Sequence, residues 1–167
     1  MRKHSTRLAA ILCIVFGTIL LSSCSGTPPR SVAKHAEPAP SVLLVRLTQK
    51  VPFSGHLKPL SRTSAFQYYG IPEEKSVSIA AAASDNTPEN AAVWLAPSGA
   101  TARRIAYLTG KHYSSQRDSY EGCHETQACK LDSAVVLQNG RYVFCCVSAD
   151  NRKARLTVSH LAHQLTH

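Results

Sequence analysis

The chain has 167 residues, 44% hydrophobic and 17% charged, with nineteen Lys/Arg against ten Asp/Glu and a formal charge of +9. That length accommodates about one domain and excludes a large multidomain enzyme, and the composition is too apolar for disorder and too ordinary for collagen or a coiled coil. No apolar run reaches the ~20 residues of a spanning helix, so a polytopic membrane protein is not expected.

The N-terminus carries an address. Arg2, Lys3 and Arg7 form a positive stretch, and the fourteen residues Leu8 to Leu21 behind it are uncharged and apolar. As a helix they would span about 21 Å, short of a bilayer core of ~30 Å. A charged start followed by a short apolar run is the pattern of a secretory signal peptide.

The run ends Leu21-Ser22-Ser23-Cys24. An aliphatic residue, two small residues and a cysteine at this distance resemble the lipobox of bacterial lipoproteins. The resemblance covers residues 1–24 only. It implies that the Cys24 thiol receives a covalent lipid and that cleavage falls between Ser23 and Cys24. Two or three acyl chains anchor a protein stably where one does so marginally. Residue 25 is Ser rather than Asp. Under the sorting rule of enteric-type lipoproteins this implies outer-membrane attachment, with the domain facing the periplasm and inner-membrane retention disfavoured. No other cofactor is implied.

Residues 24–41 comprise the lipidated cysteine and a Pro-rich tether, SGTPPRSVAKHAEPAPS from Ser25 to Ser41. Fully stretched, the tether reaches at most ~56 Å, and as a coil it averages ~22 Å. A single periplasmic globular domain is expected over 42–167.

In chain order, Val42-Leu43-Leu44-Val45, continued to Thr48, reads as a strand, and Phe66–Tyr69 and Val77–Ala82 as two more. Val93-Trp94-Leu95 and Ile105–Leu108 flank Pro97-Ser98-Gly99-Ala100 and suit a hairpin. A rival helix runs from Thr87 as N-cap through Pro88 and Glu89 to a stop at Pro97, so 87–97 stays open between strand and helix. Ala134–Leu137 and Tyr142–Val147 bracket Asn139-Gly140, the signature of a hairpin with a type I′ turn. Asp150-Asn151 makes a further turn, followed by Leu156 and Val158 in alternation. The tail from Val158 suits a short helix. The expected class is β-rich α+β, a small antiparallel sheet or sandwich with a disulfide-stapled C-terminal hairpin.

The staple is inferred from the address. Cys123, Cys129, Cys145 and Cys146 remain once Cys13 and Cys24 are set aside. In an oxidising compartment an even number reads as two disulfides. Neighbours on a strand point to opposite faces, so the expected bridges run from the 123–129 loop to Cys145 and Cys146 on either side.

His160, His163 and His167 are spaced to share one helix face and form a candidate metal site. Removing the signal peptide leaves sixteen cations against ten acids, about +6. Arg152, Lys153 and Arg155 head a basic stretch suited to an acidic partner: a protein face, wall carboxylates or lipopolysaccharide phosphates. Nucleic acid is not expected across the envelope. Gly-x-Ser-x-Gly, His-Glu-x-x-His and phosphate-loop motifs do not occur. Cys123-His124 are adjacent without triad logic, and Glu73-Glu74 read as a solvated turn, so no catalytic residue is assigned.

The expected function is that of an outer-membrane lipoprotein binding another macromolecule, as accessory subunit of an envelope or secretion assembly. Alternatives are an immunity or inhibitor protein against a toxin or wall hydrolase, with the 123–129 loop as plug, and a metal-binding or peptidoglycan-modifying protein.

Overall fold

The computed structural model describes residues 37–165. Cys24 and most of the tether lie outside the described residues, as does His167. A five-stranded, wholly antiparallel sheet carries helices on both faces, an α+β arrangement in three layers.

The elements are α1 (Pro40–Lys50), β1 (Lys58–Pro59), α2 (Arg62–Tyr68), β2 (Ser78–Ala83), β3 (Asn90–Leu95), α3 (Gly99–Tyr120), α4 (Glu125–Asp132), β4 (Val135–Asn139), β5 (Tyr142–Val147) and α5 (Asn151–His163). Strand order is β1-β2-β3-β5-β4.

Period-two alternation sends alternate residues of the central strands into two separate cores. Ala92, Trp94, Val143, Cys145 and Val147 meet α2, α3 and α4 through Phe66, Ile105, Tyr113 and Leu131. Ala91, Val93, Phe144 and Cys146 meet α1 and α5 through Leu43, Leu47, Val158 and Leu161. Alanines pair across β2 and β3, Ala81 with Ala92 and Ala82 with Ala91. Such short side chains leave room for a helix on either side.

Several expectations are corrected. Val42–Thr48 is helix, because the buried positions Pro40, Leu43 and Leu47 recur at helical spacing and Pro40 suits the first turn. Phe66–Tyr69 lies in and just after α2, capped by Ser61, whose side chain accepts from the Ser64 amide. Ile105–Leu108 is not a hairpin arm. It belongs to α3, whose buried Ala102, Ile105, Thr109 and Tyr113 form one stripe, with Ser98 Oγ accepting from the Thr101 amide at 3.1 Å. Within 87–97 the strand reading holds, as β3. Leu156 and Val158 lie on α5, and Asp150 is its N-cap, accepting from the Lys153 amide at 2.9 Å.

The C-terminal hairpin forms, one residue later than its turn signal suggests. Asn139 pairs with Tyr142, so Gly140 and Arg141 are the two loop residues. Gly140 stands first with φ +58°, the position that a type II′ rather than a type I′ turn reserves for glycine.

The staple does not form. All four cysteines of the described residues are free, Cys123 and Cys129 exposed and Cys145 and Cys146 buried. The two strand thiols do leave by opposite faces, but each is sealed in its own core with no exposed surface, so neither bridge to the 123–129 segment is made.

Candidate functional site

The sequence-derived candidates are scattered. Glu73 and Glu74 share a loop but turn to different partners. Arg62 Nε donates to Glu73 at 3.1 Å, and Arg104 lies 3.9 Å from Glu74. Arg62 also donates to the Val77 and Glu74 carbonyls and sits over the Phe66 ring at 5.0 Å. The two carboxylates therefore tie one loop to α2 through Arg62 and to α3 through Arg104. His124 is the N-cap residue of α4, exposed, with its ring 6.1 Å from Tyr120. His160 and His163 lie on the exposed side of α5, and among the described residues no group of three or more His, Cys, Asp or Glu side chains is placed to hold a metal. Arg152, Lys153 and Arg155 occupy the first turns of α5 and are all exposed.

What the fold does assemble is a polar spine at the start of β3. Glu89 and Asn90 have no exposed surface. The Glu89 carboxylate accepts from Lys130 Nζ at 2.7 Å, from Ser54 Oγ at 2.8 Å and from the Ser54 amide at 2.7 Å. Burial pushes its carboxyl up, but the hydrogen bonds from Lys130 and Ser54 outweigh burial and hold it below the usual range. Asn151 lies near the same helix: its Nδ2 donates to the Lys130 carbonyl at 2.6 Å and to Ser133 Oγ at 2.9 Å.

Asn90 is the second node. Its Oδ1 accepts from Tyr69 at 2.8 Å and from Tyr113 at 2.6 Å, while its Nδ2 donates to the Pro88 carbonyl at 2.8 Å and to the Tyr68 hydroxyl at 3.3 Å. All four hydrogen-bonding positions of the amide are used. Burial raises the pKa of Tyr69 and Tyr113 well above the phenol value, so both stay protonated donors.

Tyr68 differs from these two. It is half-buried, and its oxygen accepts from Asn90. Its ring lies 5.3 Å from His112, which is also half-buried and also contacts Tyr69 at 5.7 Å and Tyr113 at 5.8 Å. Gln116, one helical turn beyond His112, reaches the Tyr68 hydroxyl. The His112 Nε2 and Gln116 Oε1 atoms are buried without a hydrogen-bond partner among the described residues. Burial lowers the His112 pKa, so the imidazole is neutral at pH 7. Between α2 and α3, then, a phenol, a neutral imidazole and a carboxamide form a small polar rim above an aromatic floor. In these protonation states the three groups suit hydrogen bonding and ring contact.

The rim escaped the sequence reading because His112 and Gln116 share a face only on a helix, and that stretch was not read as one. The signal available was their spacing of four, together with Ile105, Thr109 and Tyr113 at turn intervals.

No protein-family model, no curated protein and no solved structure matches the chain.

Proposed function

We propose that the chain is an outer-membrane lipoprotein whose periplasmic domain binds another macromolecule, as an accessory subunit of an envelope or secretion assembly. The observation that carries this reading is the box Leu21-Ser22-Ser23-Cys24, standing behind a cationic and then an apolar stretch and ahead of a Pro-rich tether. Recognition is supported by the rim of Tyr68, His112 and Gln116, where buried polar atoms lack partners within the domain. An unpaired buried polar atom costs free energy, and a partner's hydrogen bond would recover it.

The test has two arms. Palmitate labelling should be lost in Cys24→Ala, with precursor accumulating; normal labelling of that variant would overturn the anchor. Affinity capture of the lipidated protein from its own envelope should recover a partner that Tyr68→Ala with His112→Ala does not retain. Equal capture by that variant would overturn recognition at the rim.

The immunity or inhibitor reading keeps one supporting observation. Residues 121–124 between α3 and α4 are all exposed, as are Glu125 and Thr126 in the first turn of α4, and Gly122 has φ +79°, so Cys123, His124 and Glu125 are open to a partner.

A further inference from the structure

The net charge of the domain is confined to one layer. Residues 37–165 carry fourteen Lys/Arg and ten Asp/Glu, an excess of four. Helices α1 and α5 hold five of the cations, Arg46, Lys50, Arg152, Lys153 and Arg155, and no acid. Counting their one capping carboxylate, Asp150, this layer already accounts for the whole excess. Elsewhere nine cations face nine acids, and most are paired: Lys58 with Asp85, Arg62 with Glu73, Arg104 with Glu74, Arg117 with Asp132, Lys130 with Glu89 and Arg141 with Glu37. None of the five cations of α1 and α5 appears in any of these ion pairs. Three of them crowd the first turns of α5, where the helix dipole is already positive and a cation is disfavoured.

The same layer carries exposed aliphatic side chains. Of the four large hydrophobic residues most open to solvent among the described residues, three lie here: Val42 at 46%, Val45 at 52% and Leu156 at 67%. Lys50 and Leu156 meet at a shallow groove with Thr157 and His160, so the apolar and basic groups of the two helices adjoin. A helical face combining Lys/Arg with exposed aliphatics and lacking acids is the pattern of a surface that lies on an anionic bilayer.

The way the chain enters this layer fits that occupant. The segment before α1 is tied down by an ion pair from Glu37 to Arg141 and by Tyr142 Oη donating to the Pro38 carbonyl at 2.7 Å. The tether therefore ends at the N-terminus of α1, in the basic layer itself. Cys24 lies thirteen residues before Glu37, a reach of at most ~45 Å and a coil average of ~20 Å. Over a span that short, two tethered groups meet at roughly millimolar effective concentration, so weak attraction suffices.

We infer that the α1/α5 face docks the domain on an anionic phospholipid surface, through phosphate headgroups at Arg46, Lys50, Arg152, Lys153 and Arg155 and shallow insertion of Val42, Val45 and Leu156. The rim at Tyr68 and His112, on the opposite side of the sheet, then faces away from the bilayer. This deepens the envelope role proposed above by naming one surface it binds. Its test uses vesicles alone, so its outcome is independent of the pull-down.

The full chain is reconstituted in vesicles of phosphatidylcholine alone or of phosphatidylcholine with phosphatidylglycerol, and lysine acetylation is read by mass spectrometry. In anionic vesicles Lys50 and Lys153 should acetylate about tenfold more slowly than in neutral ones, with Lys75 and Lys111 unchanged. At ~1 M salt, where the Debye length is about 3 Å, the protection should vanish. The protection of Lys50 should also vanish in Arg152→Ser/Lys153→Ser/Arg155→Ser, and that of both lysines should weaken in Val42→Ser/Val45→Ser/Leu156→Ser. These positions are exposed, and unchanged circular dichroism would show that folding survives. Equal acetylation in the two vesicle types overturns the inference, as does protection that ignores salt. Protection that appears only on adding envelope proteins would assign the face to a protein partner and overturn it as well.

Discussion

The Glu89 carboxylate, with none of its surface exposed, meets the Lys130 ammonium at 2.7 Å, joining the β2–β3 connection to α4 across forty-one residues of chain. Ser54 completes the carboxylate's bonding from a third segment. Removing one partner of a buried pair leaves the other charge uncompensated, so Lys130→Met should destabilise by about 3–5 kcal/mol. Glu89→Gln with Lys130→Met together should cost less than Lys130→Met alone, and urea denaturation of the variants checks this order.

The same pair sets a pH dependence. The Glu89 pKa is lower in the folded chain than in the unfolded one, so the unfolded state binds its proton first as pH falls. The stabilisation is complete above the unfolded carboxylate value of about 4.3 and is lost as pH descends through the folded value. Urea midpoints measured from pH 7 to pH 3 should fall more steeply for the wild type than for Glu89→Gln. Parallel curves would remove Glu89 from the acid sensitivity.

Asn90→Ala should be among the costlier single substitutions. It strips the acceptor from two buried phenols, Tyr69 and Tyr113, at about 1–3 kcal/mol for each unsatisfied group. Tyr113→Phe removes one donor while leaving the amide its other bonds, and should cost less. Thermal denaturation of the two variants gives the comparison.

The four described thiols should divide sharply by reactivity. Burial drives Cys145 up to about 12, against contacts with Thr109 and Trp94, and raises Cys146 further. Iodoacetamide at pH 8 should therefore modify Cys123 and Cys129 in the native protein and reach Cys145 and Cys146 only on unfolding. Peptide mapping that recovered Cys145 or Cys146 in a bridge would contradict this buried placement.

Gly140→Val should loosen the C-terminal hairpin. No atom stands within 4 Å of the added Cβ, so the penalty is the positive φ of +58° alone. That is about 1–2 kcal/mol for a non-glycine residue, and Gly140→Asn should lose less. Denaturant midpoints of the two variants rank them.

Local signals were legible where chemistry acts over a few residues. The β5 alternation sorted Cys145 and Cys146 to opposite faces, and Gly140 marked the hairpin within one residue. The antiparallel sheet and its α+β class followed from such pieces. Helices α1, α2 and α3 were obscured because Val42–Val45, Phe66–Tyr69 and Ile105–Leu108 carry β-branched and aromatic residues, while the stripe that folds them recurs every three or four positions. Asp150 shows the opposite error, a turn residue whose side chain in fact starts a helix. Neither node of the polar spine was visible, because the partners of Glu89 and Asn90 stand 21 to 41 residues away, apart from Pro88. The segregation of charge needed the fold too: α1 and α5 are a hundred residues apart in the chain and adjoin only when both cover the same side of the sheet.

The chain's single tryptophan is a reporter for one half of the molecule. Trp94 is packed edge-on by Phe66 at 5.2 Å and Tyr69 at 5.5 Å, wholly within the layer of α2, α3 and α4. Its emission therefore follows that layer and is silent about α1 and α5. Helical circular dichroism sums both. A domain that loosens first at its basic face would lose ellipticity before its fluorescence shifts, whereas one that melts as a unit would show the two signals moving together.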